Sequence, residues 1–259
     1  MITLNADTMR AIAPRNSGAR GRQQATIIDA IGPVLQTTCA DYGIDTALRL
    51  AHFLAQICHE SDGFCTTQEY ATGDAYEGRA DLGNTQHGDG PRFKGRGLIQ
   101  LTGRANYGRY GNLLQLDLVG NPSLAAEPAT SLLIACAFWK QQGLDAFADA
   151  DDILTITRRI NGGLNGIDDR RARLTAAKSA LGLTGDPTET PTIRRGDSGA
   201  GVVRLQNLLR SIGYPLTADG DFGPTTDEAV RQFQTSKGLA ADGLVGPATW
   251  SALGASASG

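Results

Sequence analysis

Apolar residues recur at helical spacing along most of this chain and seldom alternate as strands require. Between 45 and 60, Leu48, Ala51, Phe53, Leu54, Ile57 and Cys58 predict a helix that Asp45 would cap. PATSLLIACAFWKQQG opens at Pro128 and closes at Gly143, a start and a stop of the expected kind. In DDILTITRRINGG, Ile153, Ile156 and Ile160 share a face, and Asn161-Gly162 ends the run. DDRRARLTAAKSALG reads as a further helix ending at Gly182. The pattern predicts a mainly α protein in which any sheet is small.

The periodicity fails at GLTGDPTETPT, which has two prolines and almost nothing to bury. This composition predicts a linker over 184–192, between a domain at 1–183 and one at 193–259. The second part contains an internal echo. LTADGDFGPTTDEAV and LAADGLVGPATWSAL share Asp-Gly, Gly-Pro and Thr at an offset of 23 residues. Each Asp-Gly predicts a tight turn and each Gly-Pro a helix entry. Thr225 and Glu228 suit a capping box. Val202, Leu205, Leu209 and Ile212 mark one face of a preceding helix, so three short helices with two related turns are expected. This part has no histidine or cysteine and reads as a binding module.

Composition narrows the function. A net charge of −3 argues against a nucleic-acid-binding surface. No apolar run approaches the roughly 18 residues of a membrane span. The start, MITLNADTMRAIAPR, lacks a basic segment followed by an apolar one, so no secretory signal is read. Cys39, Cys58, Cys65 and Cys136 are then expected to be reduced. A zinc site of Cys58, His59, Cys65 and His87 is conceivable but fits no common metal spacing; the cysteines read instead as buried, small apolar residues, with no metal expected.

The candidate chemistry lies in HESDGFCTTQEY, where Glu60 and Glu69 stand nine residues apart. On one continuous helix their Cα atoms would be roughly 13 Å apart and their side chains on opposite faces. Cooperation therefore requires the helix to stop near Glu60 and the chain to fold back. Ser61-Asp62-Gly63 offers such a stop, because glycine adopts the left-handed conformation that ends helices. Glu60 follows the apolar run FLAQIC, which predicts partial desolvation. Desolvation holds a carboxyl protonated, as a general acid requires. Downstream, FKGRGLIQLTGRANYGRYG offers Gly95, Gly97 and Gly103 for close backbone approach. Gln100, Thr102, Asn106 and Tyr107 supply neutral hydrogen-bonding groups suited to sugar hydroxyls. Gln100 stands where a dinucleotide fingerprint wants glycine, and no Walker lysine is present.

FLAQICHES, QEYATGDAYEGRADLGNTQ, FKGRGLIQLTGRANYGRYG and TRRINGGLNGIDDRRARL together resemble glycoside hydrolase family 19. The likeness is to its lysozyme-like bacterial and phage members more than to plant chitinases, and it runs over nearly all of 1–183. It implies a lysozyme-like helical fold, a cleft for β-1,4-linked N-acetylated amino sugars, and an inverting reaction without a cofactor. Carried over by motif, Glu60 is the acid and Glu69 the base. Thr102 helps hold the water, and Gln100, Asn106 and Asn161 contact sugar. Glu77 competes for the role of base. Tyr107, Arg96 and His59 match the pattern with roles at least as well explained by structure. An inverting pair needs its carboxyls roughly 6.5–9.5 Å apart, to leave room for water.

Residues 193–254 resemble a three-helix peptidoglycan-binding domain. The expected whole is a monomeric endolysin that cuts peptidoglycan, made in a bacterial cytoplasm and reaching the wall through a holin-type lesion or dedicated export. The alternatives are a chitinase and a non-catalytic wall-binding protein.

Overall fold

In a computed structural model, which describes residues 3–183 and 192–257, the chain divides into two compact units with the boundary after Leu181. The expected linker falls almost wholly outside the described residues.

Among its described residues the first unit carries nine α-helices: α1 (Ala6–Ile12), α2 (Gly18–Asp41), α3 (Ala47–Glu60), α4 (Asp89–Arg92), α5 (Arg104–Leu114), α6 (Pro128–Gln141), α7 (Asp145–Asp149), α8 (Ile153–Asn161) and α9 (Ile167–Ala180). Short 3-10 turns fill parts of the connections. The expected small sheet reduces, among the described residues, to isolated bridges such as Gln68–Arg96 and Arg96–Leu101.

Helix α3 is the central element. Every residue from Leu50 to Cys58 is buried, which is the pattern of a helix enclosed on all sides. It packs chiefly against α9, while α2 lies along α6 and α1 against both α2 and α9. Phe53 meets Trp139 of α6 edge to face, with ring centroids 5.6 Å apart. Burying side chains of this size contributes about 1.5–3 kcal/mol each, so α3 is fixed by tertiary contacts more than by its own propensity. Its cap is Thr46, whose hydroxyl accepts from the Arg49 N–H, and not Asp45 as the pattern suggested. The helix begins one residue later, and Asp45 lies outside the capping position.

The second unit has α10 (Ala200–Ser211), α11 (Pro224–Ser236) and α12 (Pro247–Ala257). Its core gathers Val202, Leu205, Leu209, Phe222, Val230, Phe233, Val245, Trp250 and Leu253. Ile212 packs at the edge of that core. The echo in sequence is an echo in hydrogen bonding. Gln206 donates to Asp219 Oδ1, the Asp221 carbonyl and Thr226 Oγ1, and accepts from the Gly220 N–H. Gln234 repeats the set with Asp242 Oδ1, the Leu244 carbonyl, Thr249 Oγ1 and the Gly243 N–H. Each glutamine, fully or almost fully buried, closes one Asp-Gly turn. The expected capping box at Thr225 and Glu228 does not form. Pro224 starts α11 early, Gly223 takes the cap position, and Thr226 turns inward to Gln206 instead.

Candidate active site

Helix α3 ends at Glu60, and the chain reverses there through three successive residues with positive φ: Asp62 at 55°, Gly63 at 72° and Phe64 at 63°. The sequence pointed to glycine alone for this conformation. The two neighbours adopt it because side chains hold the turn. Ser61, fully buried, donates to the Ile57 carbonyl at 2.6 Å and accepts from the Phe64 N–H at 3.1 Å. Gln24 donates to the Gly63 carbonyl at 2.6 Å. Asp62 is ion-paired with Arg20 and accepts from the Tyr70 hydroxyl. Burial pushes the Asp62 carboxyl up, but the hydrogen bonds from Arg20 and Tyr70 outweigh it and hold the group below its ordinary range.

The returning strand of chain pairs with the GRGLIQLTG turn. Gly97 N donates to the Thr67 carbonyl, and Glu69 N donates to the Gly95 carbonyl. The Glu69 side chain completes the clasp: Oε1 accepts from the Gly95 N–H at 2.9 Å and Oε2 from the Tyr76 hydroxyl at 2.9 Å. Burial and the bond donated to Glu69 raise the Tyr76 phenol, which keeps it a donor. A Cβ on Gly95 would lie 2.9 Å from Gln100 Oε1 and 3.4 Å from the Glu69 carboxyl, so Glu69 and Gln100 meet over a bare backbone.

Glu60 has a partner that the sequence did not reveal. Arg170 of α9, only 2 % exposed, bonds to Glu60, which is itself 16 % exposed. The same guanidinium bonds to Gln56 Oε1 and donates to the Asn165 carbonyl. Glu60 is thus partly withdrawn from solvent, and the apolar run leads it to a buried guanidinium. Next to it, His59 Nδ1 lies 2.7 Å from Asp169, which also binds Arg173. Gly166 leaves room for the imidazole, since a Cβ there would be 2.3 Å from His59 Cε1.

Glu77 is engaged elsewhere. Its two oxygens accept from the Gly88 and Gly90 N–H groups at 2.7 and 2.8 Å, and these bonds hold the carboxyl below its ordinary range. It shapes the loop before α4. Arg96 and Tyr107 form a structural pair, with Arg96 Nη1 donating to the phenol oxygen at 2.9 Å; burial pushes that phenol up to about 12.

A cavity of about 300 Å³ opens beside Gln100 and brings Gln100, Thr102 and Asn106 together. This is the small end of the range for ligand sites. Thr102 Oγ1 donates to the Gln100 carbonyl and Asn106 Nδ2 to the Thr102 carbonyl, so the three are mutually braced. Asn161 does not line this cavity, although Ile160 does. The Asn161 amide instead donates to the Asn165 carbonyl and accepts from the Gly163 N–H, closing the INGG turn. The cysteines are all free and buried, and burial pushes the Cys58 thiol up to about 12.

A family profile described as Chitinase class I matches residues 32–165. The chain belongs to glycoside hydrolase family 19. It is a family 19 glycoside hydrolase with a peptidoglycan-binding domain, whose profile matches residues 198–253. A glycosyl hydrolase family 19 domain-containing protein of Haemophilus influenzae is 33 % identical over 159 residues, or 49 % of this chain and 78 % of that one. The zinc D-Ala-D-Ala carboxypeptidase of Streptomyces albus G is 42 % identical over 87 residues, 32 % of this chain and only 33 % of its own length. Among solved structures, chitinase C from Streptomyces griseus HUT6037 shares the fold with a TM-score of 0.51 at 23 % identity, covering 72 % of this chain and 79 % of that one. The family 19 enzyme thus has the helical, lysozyme-like architecture that its motifs implied, and among its described residues no helix is long and apolar enough to cross a membrane.

Proposed function

We propose that this family 19 enzyme is an endolysin-type peptidoglycan hydrolase that cuts β-1,4 glycosidic bonds with inversion, held at the wall by its C-terminal domain. Glu60 is the general acid and gives a proton to the glycosidic oxygen. Glu69 is the general base and takes one from the water that attacks the opposite face of the sugar. Thr102 helps hold that water, while Gln100 and Asn106 bind sugar and Asn161 shapes the cleft edge next to Ile160. Arg170, hydrogen-bonded to Glu60, stabilises the carboxylate that forms there as the proton leaves. The observation that carries this reading is the fold-back: Glu69, clasped to Gly95, lies across that glycine from Gln100, which lines the cavity. Glu69 is bonded to the Gly95 segment that leads to Gln100, whereas the rival base, Glu77, is bonded to Gly88 and Gly90 before α4, which further favours Glu69. Tethering through the second domain would raise the local concentration of wall glycan at the cleft.

The decisive experiment is mass spectrometry of fragments released from purified peptidoglycan. Hydrated reducing ends are expected by mass, with proton NMR at early times showing them first as the α-anomer; anhydro ends or freed peptides would refute the assignment. Glu60→Gln should clear permeabilised cells at least 100-fold more slowly than wild type, the scale of a lost general acid. Equal clearing by both would remove Glu60 from its role, and clearing by neither would favour a wall-binding protein without activity.

A chitinase is the second reading, favoured by the Chitinase class I profile. Activity on colloidal chitin with none on peptidoglycan would establish it in place of the first.

A further inference from the structure

The cavity has two chemically distinct ends. Among the described residues that line it, Gln100, Thr102 and Asn106 offer neutral groups, and Arg109 alone is charged. Asn106, Arg109 and Tyr110 lie on α5 at positions i, i+3 and i+4, which places them on one helical face about one turn apart. Arg109 is exposed at this edge, and its Nη2 donates only to the neutral Gln141 amide at 3.2 Å. Its guanidinium carbon lies 5.9 Å from the Tyr110 ring. Among the described residues no carboxylate pairs with it, as with Arg92, Arg96 and Arg159, none of which lines the cavity, whereas Arg20, Arg49, Arg104, Arg170 and Arg173 each have one. An unneutralised guanidinium beside a sugar-binding triad is suited to a carboxylate, which its planar fork grips through two hydrogen bonds.

Charge is also what separates the two candidate glycans. A polymer of N-acetylglucosamine is neutral. A glycan with muramic acid carries a lactyl carboxyl on alternate sugars, free or extended by a peptide with carboxylates of its own. The protein as a whole is anionic, with a net charge of −3, so attraction of an acidic substrate has to come from a local cation.

We propose that Arg109 is a specificity-determining residue that binds a substrate carboxylate next to the sugar held by Gln100, Thr102 and Asn106. This rests on the cavity being part of the glycan cleft. The carboxylate belongs either to the lactyl group or to the peptide.

The test compares full-length wild type, Arg109→Gln and Arg109→Lys by kcat/KM on three soluble preparations from one wall. The first is peptide-bearing glycan fragments. In the second, the peptides are removed to leave only lactyl carboxylates. In the third, all carboxylates are converted to methylamides. The expected result is that the ratio of anionic to methylamide kcat/KM falls roughly fivefold in Arg109→Gln, the scale of one partly exposed charge contact, and is largely kept in Arg109→Lys. A fall confined to the peptide-bearing fragments assigns the carboxylate to the peptide; a fall confined to the peptide-free glycan assigns it to the lactyl group, whose carboxyl is an amide while the peptide is attached; a fall on both means that Arg109 grips either. An unchanged ratio in Arg109→Gln overturns the proposal, whatever happens to absolute rates. If wild type cuts none of the three, the glycan reading itself fails and takes this one with it.

Discussion

The Tyr70 hydroxyl donates to Asp62 Oδ2 at 2.8 Å. This bond joins the residue after Glu69 to the turn just beyond Glu60, so the two candidate catalytic segments are fastened to each other directly. Tyr70 is otherwise 75 % exposed, and the bond is open to solvent. Tyr70→Phe should therefore cost little global stability, within about 1 kcal/mol, because exposed polar contacts contribute little. The expected effect is on the reaction, as a several-fold fall in kcat with KM nearly unchanged. Steady-state kinetics beside a thermal melt would show it, and a fall in Tm with kcat intact would refute the fastening role.

Arg170 is the reverse case. It is almost wholly buried and serves Glu60, Gln56 and the Asn165 carbonyl at once. Arg170→Met should leave the buried Gln56 amide and the Glu60 carboxyl without their cation, a loss on the order of 3–5 kcal/mol. Arg170→Lys keeps the charge but not the fork, and should recover only part of it. Urea denaturation of both variants gives the comparison; a change below about 1 kcal/mol in Arg170→Met would contradict it.

Asp151 ties the fully buried His52 to Lys178, bridging α3 and α9 from the loop between α7 and α8. Burial pushes its carboxyl up, but hydrogen bonds from His52 and Lys178, and their charges, outweigh this and hold it below its ordinary range. A carboxyl with a depressed native pKa stabilises the fold above its unfolded value, about 3.9, and loses that contribution as pH falls through the lower native value. The stability gap between wild type and Asp151→Asn should accordingly be full at pH 6 and close as the pH drops below about 4. Denaturation curves at pH 6, 4 and 3 measure it, and a gap that widens toward acid would reverse the assignment.

In the wall-binding unit, Gln206→Ala should leave the Gly220 N–H without its acceptor and strip Thr226 of one of its two partners, at a cost of about 2 kcal/mol. Gln234→Ala should do the same at Gly243 and Thr249. Each variant is expected to lower the melting temperature of that unit and weaken retention on sacculi, while hydrolysis of soluble oligosaccharides stays near wild type. Equal loss of both functions would mean that the two units do not work independently.

How much of this was legible in the sequence depends on distance along the chain. The end of α3 at Glu60, the end of α8 at Asn161 and the helix entries at Pro128, Pro224 and Pro247 are local events, set by a few neighbouring residues, and the pattern showed them. Arg170 was hidden because its partner lies 110 residues away, and nothing in DDRRARL indicates which arginine turns inward. The engagement of Glu77 by Gly88 and Gly90 depends on a loop path without periodicity. Asp45 and Thr225 show a smaller failure: several polar residues near a helix start are chemically able to cap it, and which one does is decided by the packing that sets the first turn.

The paired glutamines of the C-terminal unit have a further consequence. Around Gly220 the wall is the hydrocarbon of Val203, whereas around Gly243 it is the Asp227–Arg231 ion pair. Two loops built on one plan therefore answer to different solvents: added salt should slacken the later loop and leave the earlier one tight, so that in a briny medium the duplicated halves would cease to behave as twins.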